Sequence, residues 1–232
     1  MHLYDSGCEE AYGREDIILG MLAGAVAGND TEFISHKWLL DAMPKRLVYW
    51  DVYGDLLQAD AVRRRILDIG GGYCSLTRTL VRQHDYQLMD IMSHDDHGGF
   101  QSLIDSIGTP FWIDADWYDA DADDSYDLII ANDLFPNVDQ RLSVFLDKYL
   151  PKTYEIRLSL TYYNQPRFYR VQRIGGDETF FIVPWNGNQL AAALSQYADR
   201  IEDADFAALQ GNAQSLFANG RHVCKVVLRG DR

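Results

Sequence analysis

Cysteine, basic residues and long apolar runs are all scarce in this chain, and each shortage closes off a class of function. Only Cys8, Cys74 and Cys224 occur in 232 residues, too few and too scattered for a disulfide framework or a zinc site. Free thiols in a cytoplasmic protein are the expectation. The longest apolar run, residues 17–27, is interrupted by Gly20 and Gly24 and falls short of the roughly 20 residues that span a bilayer. The start carries no pattern of basic, apolar and small residues typical of a signal peptide, so no membrane association is expected. Acids outnumber bases 35 to 21, giving a formal net charge of −14. Gripping nucleic acid takes Lys and Arg against phosphates, so the expected partner is a small-molecule substrate and not a nucleic acid. With 47% hydrophobic and 24% charged residues, the chain has material for one well-buried domain and an appendage.

The most informative stretch is Ile66-Leu67-Asp68-Ile69-Gly70-Gly71-Gly72-Tyr73-Cys74, with a second carboxylate, Asp90, twenty-two positions after Asp68. A short apolar run that ends in an acid and breaks into three glycines reads as a strand entering a tight turn, and residues 75–82 read as the helix behind it. Glycine there permits unusual dihedrals and close approach of the backbone to a ligand. A carboxylate at the end of the next strand can take hydrogen bonds from ribose hydroxyls, the logic of nucleotide sites at the carboxyl edge of a doubly wound sheet. The dinucleotide fingerprint wants glycine where Ser75 stands. Asp68 would repel a pyrophosphate and attract a sulfonium or ammonium, directly or through water. A cationic cofactor without a diphosphate fits better.

Asp68-x-Gly70-x-Gly72 after an apolar strand resembles motif I of the class I S-adenosylmethionine (SAM)-dependent methyltransferases, with Cys74 where that pattern usually continues to another glycine. The resemblance extends through Pro110-Phe111-Trp112-Ile113-Asp114-Ala115-Asp116-Trp117, similar to the family's third strand and acidic turn. It continues through Tyr126-Asp127-Leu128-Ile129-Ile130-Ala131-Asn132-Asp133-Leu134-Phe135, similar to its fourth strand and the loop over the methyl donor. Ile-Gly-Gly-Gly-Tyr is also similar to bacterial sugar O-methyltransferases. The resemblance implies SAM as cofactor, S-adenosylhomocysteine as product and no metal. It implies cofactor contacts from Asp68, Gly70, Gly72, Asp90, Asp116, Trp117 and Asn132, with Asp114 competing with Asp116 for the adenine.

Periodicity predicts helices over 14–28, 32–43 and 45–57, which together make an N-terminal helical lid over residues 1–60. The SAM-binding domain, 61–232, then alternates strand 65–69, helix 75–83, strand 86–90, helix 99–107, strand 110–114, strand 126–131, helix 138–149 and strand 154–162. Such alternation predicts an α/β, Rossmann-like doubly wound sheet, mostly parallel, of about seven strands. Residues 167–174 and 179–184, joined by Gly175-Gly176-Asp177, predict a β-hairpin insertion after strand 5, at about 165–185. A helix over 188–200 and a strand over 221–229, antiparallel in the family's arrangement, complete the chain. The hairpin also offers an edge for pairing two copies into a homodimer.

Methyl transfer asks little covalent work of the protein, which must align donor and acceptor and exclude water. Removing a hydroxyl proton for O-methylation takes a base, for which Asp133 and His36 are the candidates. Asp133 serves equally as a cofactor or backbone contact, and His36 as a structural residue of the lid. Tyr49 and Trp50 are candidate substrate contacts or packing. Arg157, Arg167, Arg170 and Arg173 gather positive charge that could bind an anionic substrate group or pair with nearby acids. His94-Asp95-Asp96-His97 reads as a polar loop, since adjacent ligands seldom converge on one ion. The expected activity is methylation of a small metabolite, at oxygen ahead of nitrogen or carbon. The alternatives are a non-catalytic methyltransferase-like scaffold and, more distantly, a nicotinamide oxidoreductase.

Overall fold

The computed structural model describes the chain except residues 93–94, 121–123, 166–167, 173–178 and 212–214 and the side chains of residues 169, 171 and 180. Its strands are β1 (His2–Leu3), β2 (Arg65–Ile69), β3 (Asp85–Met89), β4 (Trp112–Ile113), β5 (Tyr126–Asn132), β6 (Thr153–Tyr162), β7 (Tyr169–Gln172), β8 (Thr179–Ile182) and β9 (His222–Arg229). Its α-helices are α1 (Ser6–Gly13), α2 (Ile17–Ala25), α3 (Ile34–Asp41), α4 (Met43–Tyr53), α5 (Thr77–Gln83), α6 (His97–Ile107), α7 (Leu142–Tyr149) and α8 (Gly187–Ser195).

Seven strands form one sheet in the order β1-β9-β6-β5-β2-β3-β4. Strands β2 to β6 run parallel, and β9 is antiparallel to both β6 and β1. The α/β Rossmann-like sheet, mostly parallel with an antiparallel strand near its edge, is thus as expected from the alternation of elements. The chain leaves β2 towards β3 and β4 on one side and towards β5 and β6 on the other, which opens a crevice at the carboxyl ends of β2 and β5.

The near-continuous apolar runs of β2 and β5 follow from burial on both faces. Ile66, Leu67, Leu128, Ile129, Ile130 and Ala131 are all fully buried. Alternation sends Ile66, Leu128 and Ile130 towards α4, α5 and α6, and Leu67, Ile129 and Ala131 towards α7 and α8. Each such leucine or isoleucine side chain contributes about 1.5–3 kcal/mol by leaving water.

Several boundaries differ from expectation. The helix expected over 14–28 shortens to α2, which starts after Asp16; that residue takes a left-handed backbone and caps α2 by accepting from the Leu19 amide, and α1 before it was not expected. The strand expected over 110–114 shortens to Trp112–Ile113. His2–Leu3, expected within the lid, pairs instead with Lys225 and Cys224 of β9 and so joins the sheet. Pro44 sits in the first turn of α4, where its missing N–H would have had no partner anyway. The hairpin forms as expected from β7 and β8; its turn lies outside the described residues. No helix among the described residues is long and apolar enough to cross a membrane.

A buried carboxylate fastens the lid to the helix behind the glycine turn. Asp30, fully buried, accepts from the Tyr73 hydroxyl at 2.8 Å and from Arg78 Nε and Nη2 at 3.1 and 2.9 Å. It also accepts from the Ala27 amide at 3.0 Å. Asp30→Ala strands a guanidinium and a hydroxyl in the interior, and is expected to cost about 3 kcal/mol in urea unfolding, the lower end for a broken buried ion pair. A cost below about 1 kcal/mol, the range of surface pairs, would show that this contact does not hold the lid.

Candidate active site

The turn after β2 has no room for side chains. Gly70 and Gly72 have φ of 68° and 65°, a region costly for any residue with a Cβ. Gly71 has an ordinary φ, but a Cβ on it would meet Asp68 Oδ1 at 2.5 Å, and one on Gly72 would collide with Ser35 of α3. The turn is therefore held between a carboxylate below and the lid above. Cys74 is not among the residues of positive φ, so glycine is not required there. Its thiol is buried 3.5 Å from the Tyr49 hydroxyl.

Asp90, just past β3, fixes the turn from the side: Oδ2 accepts from the Gly72 amide at 3.0 Å and Oδ1 from the Met92 amide at 2.8 Å. At the end of β5, Asn132 Oδ1 accepts from Ser159 Oγ at 2.5 Å. Asp133, at φ 59°, accepts from Thr161 Oγ1 at 2.8 Å and from Arg221 Nη1 at 3.1 Å. Burial opposes its charge, yet Arg221, Lys45 and the Thr161 hydroxyl outweigh burial and hold the carboxyl below its usual range.

These groups line one cavity of about 460 Å³, within the range of roughly 300–1,000 Å³ common for small-molecule sites. Gly70, Gly72, Asp90, Asp116, Trp117, Asn132, Asp133 and Tyr49 all lie on its wall, as do Ser35, Trp38, Lys45, Phe217 and Arg221. Between the two acids of the turn after β4, Asp116 is on the wall, with Oδ1 accepting from the Tyr118 amide. Asp114 points to solvent, 3.9 Å from His97. Trp117 is buried among Phe135, Phe145 and Tyr149 and donates from Nε1 to Asp139. It is a core residue that also forms wall.

Four expectations need correction. Asp68 does not face the cavity: it is buried, and its Oδ2 accepts from the Tyr53 and Tyr86 hydroxyls at 2.9 and 2.7 Å. Alternation along β2 turns it to the lid side of the sheet, beneath the glycines. His36 is fully buried outside the cavity wall, with Nδ1 accepting from the Ser75 amide at 3.2 Å, and burial lowers its pKa. It is placed to hold the lid, not to take a substrate proton. Trp50 is half-buried packing against the lid-side core. Arg170 is exposed on the hairpin, and Arg157 is consumed by Asp55, Glu155 and the Val52 carbonyl. Arg167 and Arg173 lie outside the described residues.

The fold and the crevice together have known counterparts. The N-terminal domain of EvdMO1, solved with SAH bound, matches with a TM-score of 0.54 over 84% of each chain at 17% identity. This chain has the class I methyltransferase fold. The Burkholderia thailandensis 1,6-didemethyltoxoflavin-N1-methyltransferase, solved with 1,6-didemethyltoxoflavin and S-adenosylhomocysteine, matches at 0.52 over 84% of this chain and 81% of that one, with 13% identity. No protein-family model matches the sequence, and no curated protein matches it significantly. Among the described residues no group of three His, Cys, Asp or Glu side chains could hold a metal ion.

Asp68 beneath this methyltransferase fold's glycine turn titrates near neutrality. Burial, the largest cause, pushes its pKa up to about 7; the Tyr86 and Tyr53 hydroxyls pull it down in part, and Asp90 adds to the rise. A carboxyl raised in the folded state stabilises fully below its unfolded value, and that contribution is lost as pH rises through the folded one. Between pH 5 and pH 8 the wild type should lose on the order of 3 kcal/mol relative to Asp68→Asn, measured by urea unfolding. Parallel profiles for the two proteins would contradict the raised pKa.

Proposed function

We propose that this chain binds SAM in the crevice between β2 and β5 and transfers its methyl group to a small-molecule acceptor. The observation that carries the reading is the junction of Gly70–Gly72, stripped of side chains, with Asp90, whose carboxylate braces that turn on the wall of the cavity. The turn offers close backbone approach, Asp90 suits ribose hydroxyls, and Asp116 on the same wall suits an adenine amino group. Bound SAM would supply an activated methyl on a sulfonium. The protein's own part is to hold the acceptor in line and to keep water out, which the packed lid helices α3 and α4 favour.

The preference for oxygen as the methylated atom rests on Asp133, an ionised carboxylate on the cavity wall. An acceptor hydroxyl on that wall would pass its proton to Asp133 while its oxygen takes the methyl that bound SAM would supply, with the sulfur keeping the electron pair. Its lowered pKa makes it a weak base, suited to a hydroxyl that is already acidic.

Calorimetry with SAM, S-adenosylhomocysteine and NADH tests the cofactor. SAM and S-adenosylhomocysteine should bind and NADH should not, and Asp90→Ala should weaken binding about 10- to 100-fold, as for loss of a charge-assisted acceptor. Preference for NADH, or no nucleotide binding at all, would refute the reading. On an acceptor whose product is 14 Da heavier, Asp133→Asn should lower kcat about 100-fold with little change in KM. An unchanged kcat would remove Asp133 from proton transfer.

A further inference from the structure

We propose that Lys148 of α7 is a positioning residue for cofactor recognition: from outside the cavity its ammonium fixes the turn 116–120, so that the Asp116 carboxylate meets the amino group of an adenine ring. This rests on the reading of the cavity as a SAM site. Asp116 lies on the cavity wall and Lys148 does not, so Lys148 acts through the turn and not on the ligand.

The turn needs an anchor from outside the sheet. It follows β4, an edge strand of two residues held to β3 by two ladder pairs, Leu88 with Trp112 and Met89 with Ile113. Several of its N–H groups are gathered on Asp116: the Asp116 carbonyl accepts from the Asp119 and Ala120 amides at 3.2 and 3.0 Å, and Oδ1 accepts from the Tyr118 amide at 2.8 Å. Its carbonyls are gathered elsewhere. Lys148 Nζ donates to those of Trp117, Tyr118 and Ala120 at 2.8, 2.8 and 2.7 Å. An ammonium carries three N–H donors, and three carbonyls of one turn converge on this one. The next residue adds to the grip, because the buried Tyr149 hydroxyl donates to the Trp117 carbonyl at 3.1 Å.

The consequence falls on the carboxylate. Asp116 Oδ1 is tied to the backbone of the turn that Lys148 holds, so the side chain takes its place from that turn. Its Oδ2 lies 3.6 Å from Arg141 Nη2, a nitrogen that sits closer, at 2.6 Å, to Asp139. A carboxylate accepts from an amino group and repels a carbonyl oxygen put in the same place. It therefore distinguishes adenine from hypoxanthine only while it is held, since a displacement of about 1 Å is enough to lose the hydrogen bond. Lys148 is half-buried, so its replacement lets the three carbonyls find water and the turn relax while the core stays packed.

S-adenosylhomocysteine and S-inosylhomocysteine are matched probes, alike except that the second carries a carbonyl oxygen where adenine has its amino group. In calorimetric titrations of the full chain, S-adenosylhomocysteine should bind at least about tenfold tighter. Asp116→Asn, whose amide can turn to offer a donor or an acceptor, should bring that preference within about threefold. Lys148→Met and Lys148→Gln should each remove most of it, and two variants guard against one failing to fold, which circular dichroism reports. Joining Lys148→Met to Asp116→Asn should lower the preference no further than Asp116→Asn alone, because the lysine acts through that carboxylate. A lysine that only stabilises the fold would weaken both ligands alike and leave their ratio as it was. A preference that survives in the folded Lys148 variants therefore overturns the proposal. So does a wild type that binds both ligands equally, a result that leaves the cofactor reading standing. A wild type that binds neither refutes the cofactor reading and this proposal with it.

Discussion

A turn with no side chains, held between a carboxylate and a helix, is the constraint on which the ligand edge depends. Asp68 fills the space under Gly71, Ser35 presses on Gly72, and Asp90 takes the Gly72 amide. A methyl group at any of these glycines collides with a neighbour or strains the backbone. The lid is also registered on the neighbouring loop, because the Ile34 amide at the start of α3 donates to Asp95 after β3 at 3.0 Å. Lid and cofactor loops are thus built against one another, and the cavity between them inherits its shape from both.

Much of this was readable in the sequence wherever the signal is local. The run Ile66–Ile69, the three glycines and the two-sided burial of Leu128–Ala131 are properties of adjacent residues, so strand, turn and crevice could be located from them. Asp90 follows because it directly ends a strand, whereas between Asp114 and Asp116 the sequence left the choice open. Asp68 was misplaced for a reason equally physical: its type suggested a cation nearby, but the alternation of a strand decides which face it takes, and two tyrosines occupy that face.

The positive charge of the site could not be found the same way. Density along the sequence pointed to Arg157 and the arginines of the hairpin, yet Arg157 is spent on Asp55 and Glu155, and Arg170 is exposed. Lys45 and Arg221 belong to opposite ends of the chain. Only the return of β9 to lie beside β6 brings them to the same cavity, and no local pattern announces that. A strand of two residues, such as β1, is likewise too short for periodicity to register.

That two-residue strand has a bearing on how the molecule assembles. His2 and Leu3 pair with Lys225 and Cys224, so β1 has no place in the sheet until β9 has been made. Contacts this distant in sequence are slow to form because loop closure precedes any gain from pairing. Once they form, the lid helices are tied at both ends, by β1 on one side and β2 on the other. The lid then behaves as a strap: tied at both ends and fastened in its middle through Asp30 and His36, it has no loose end on which to swing.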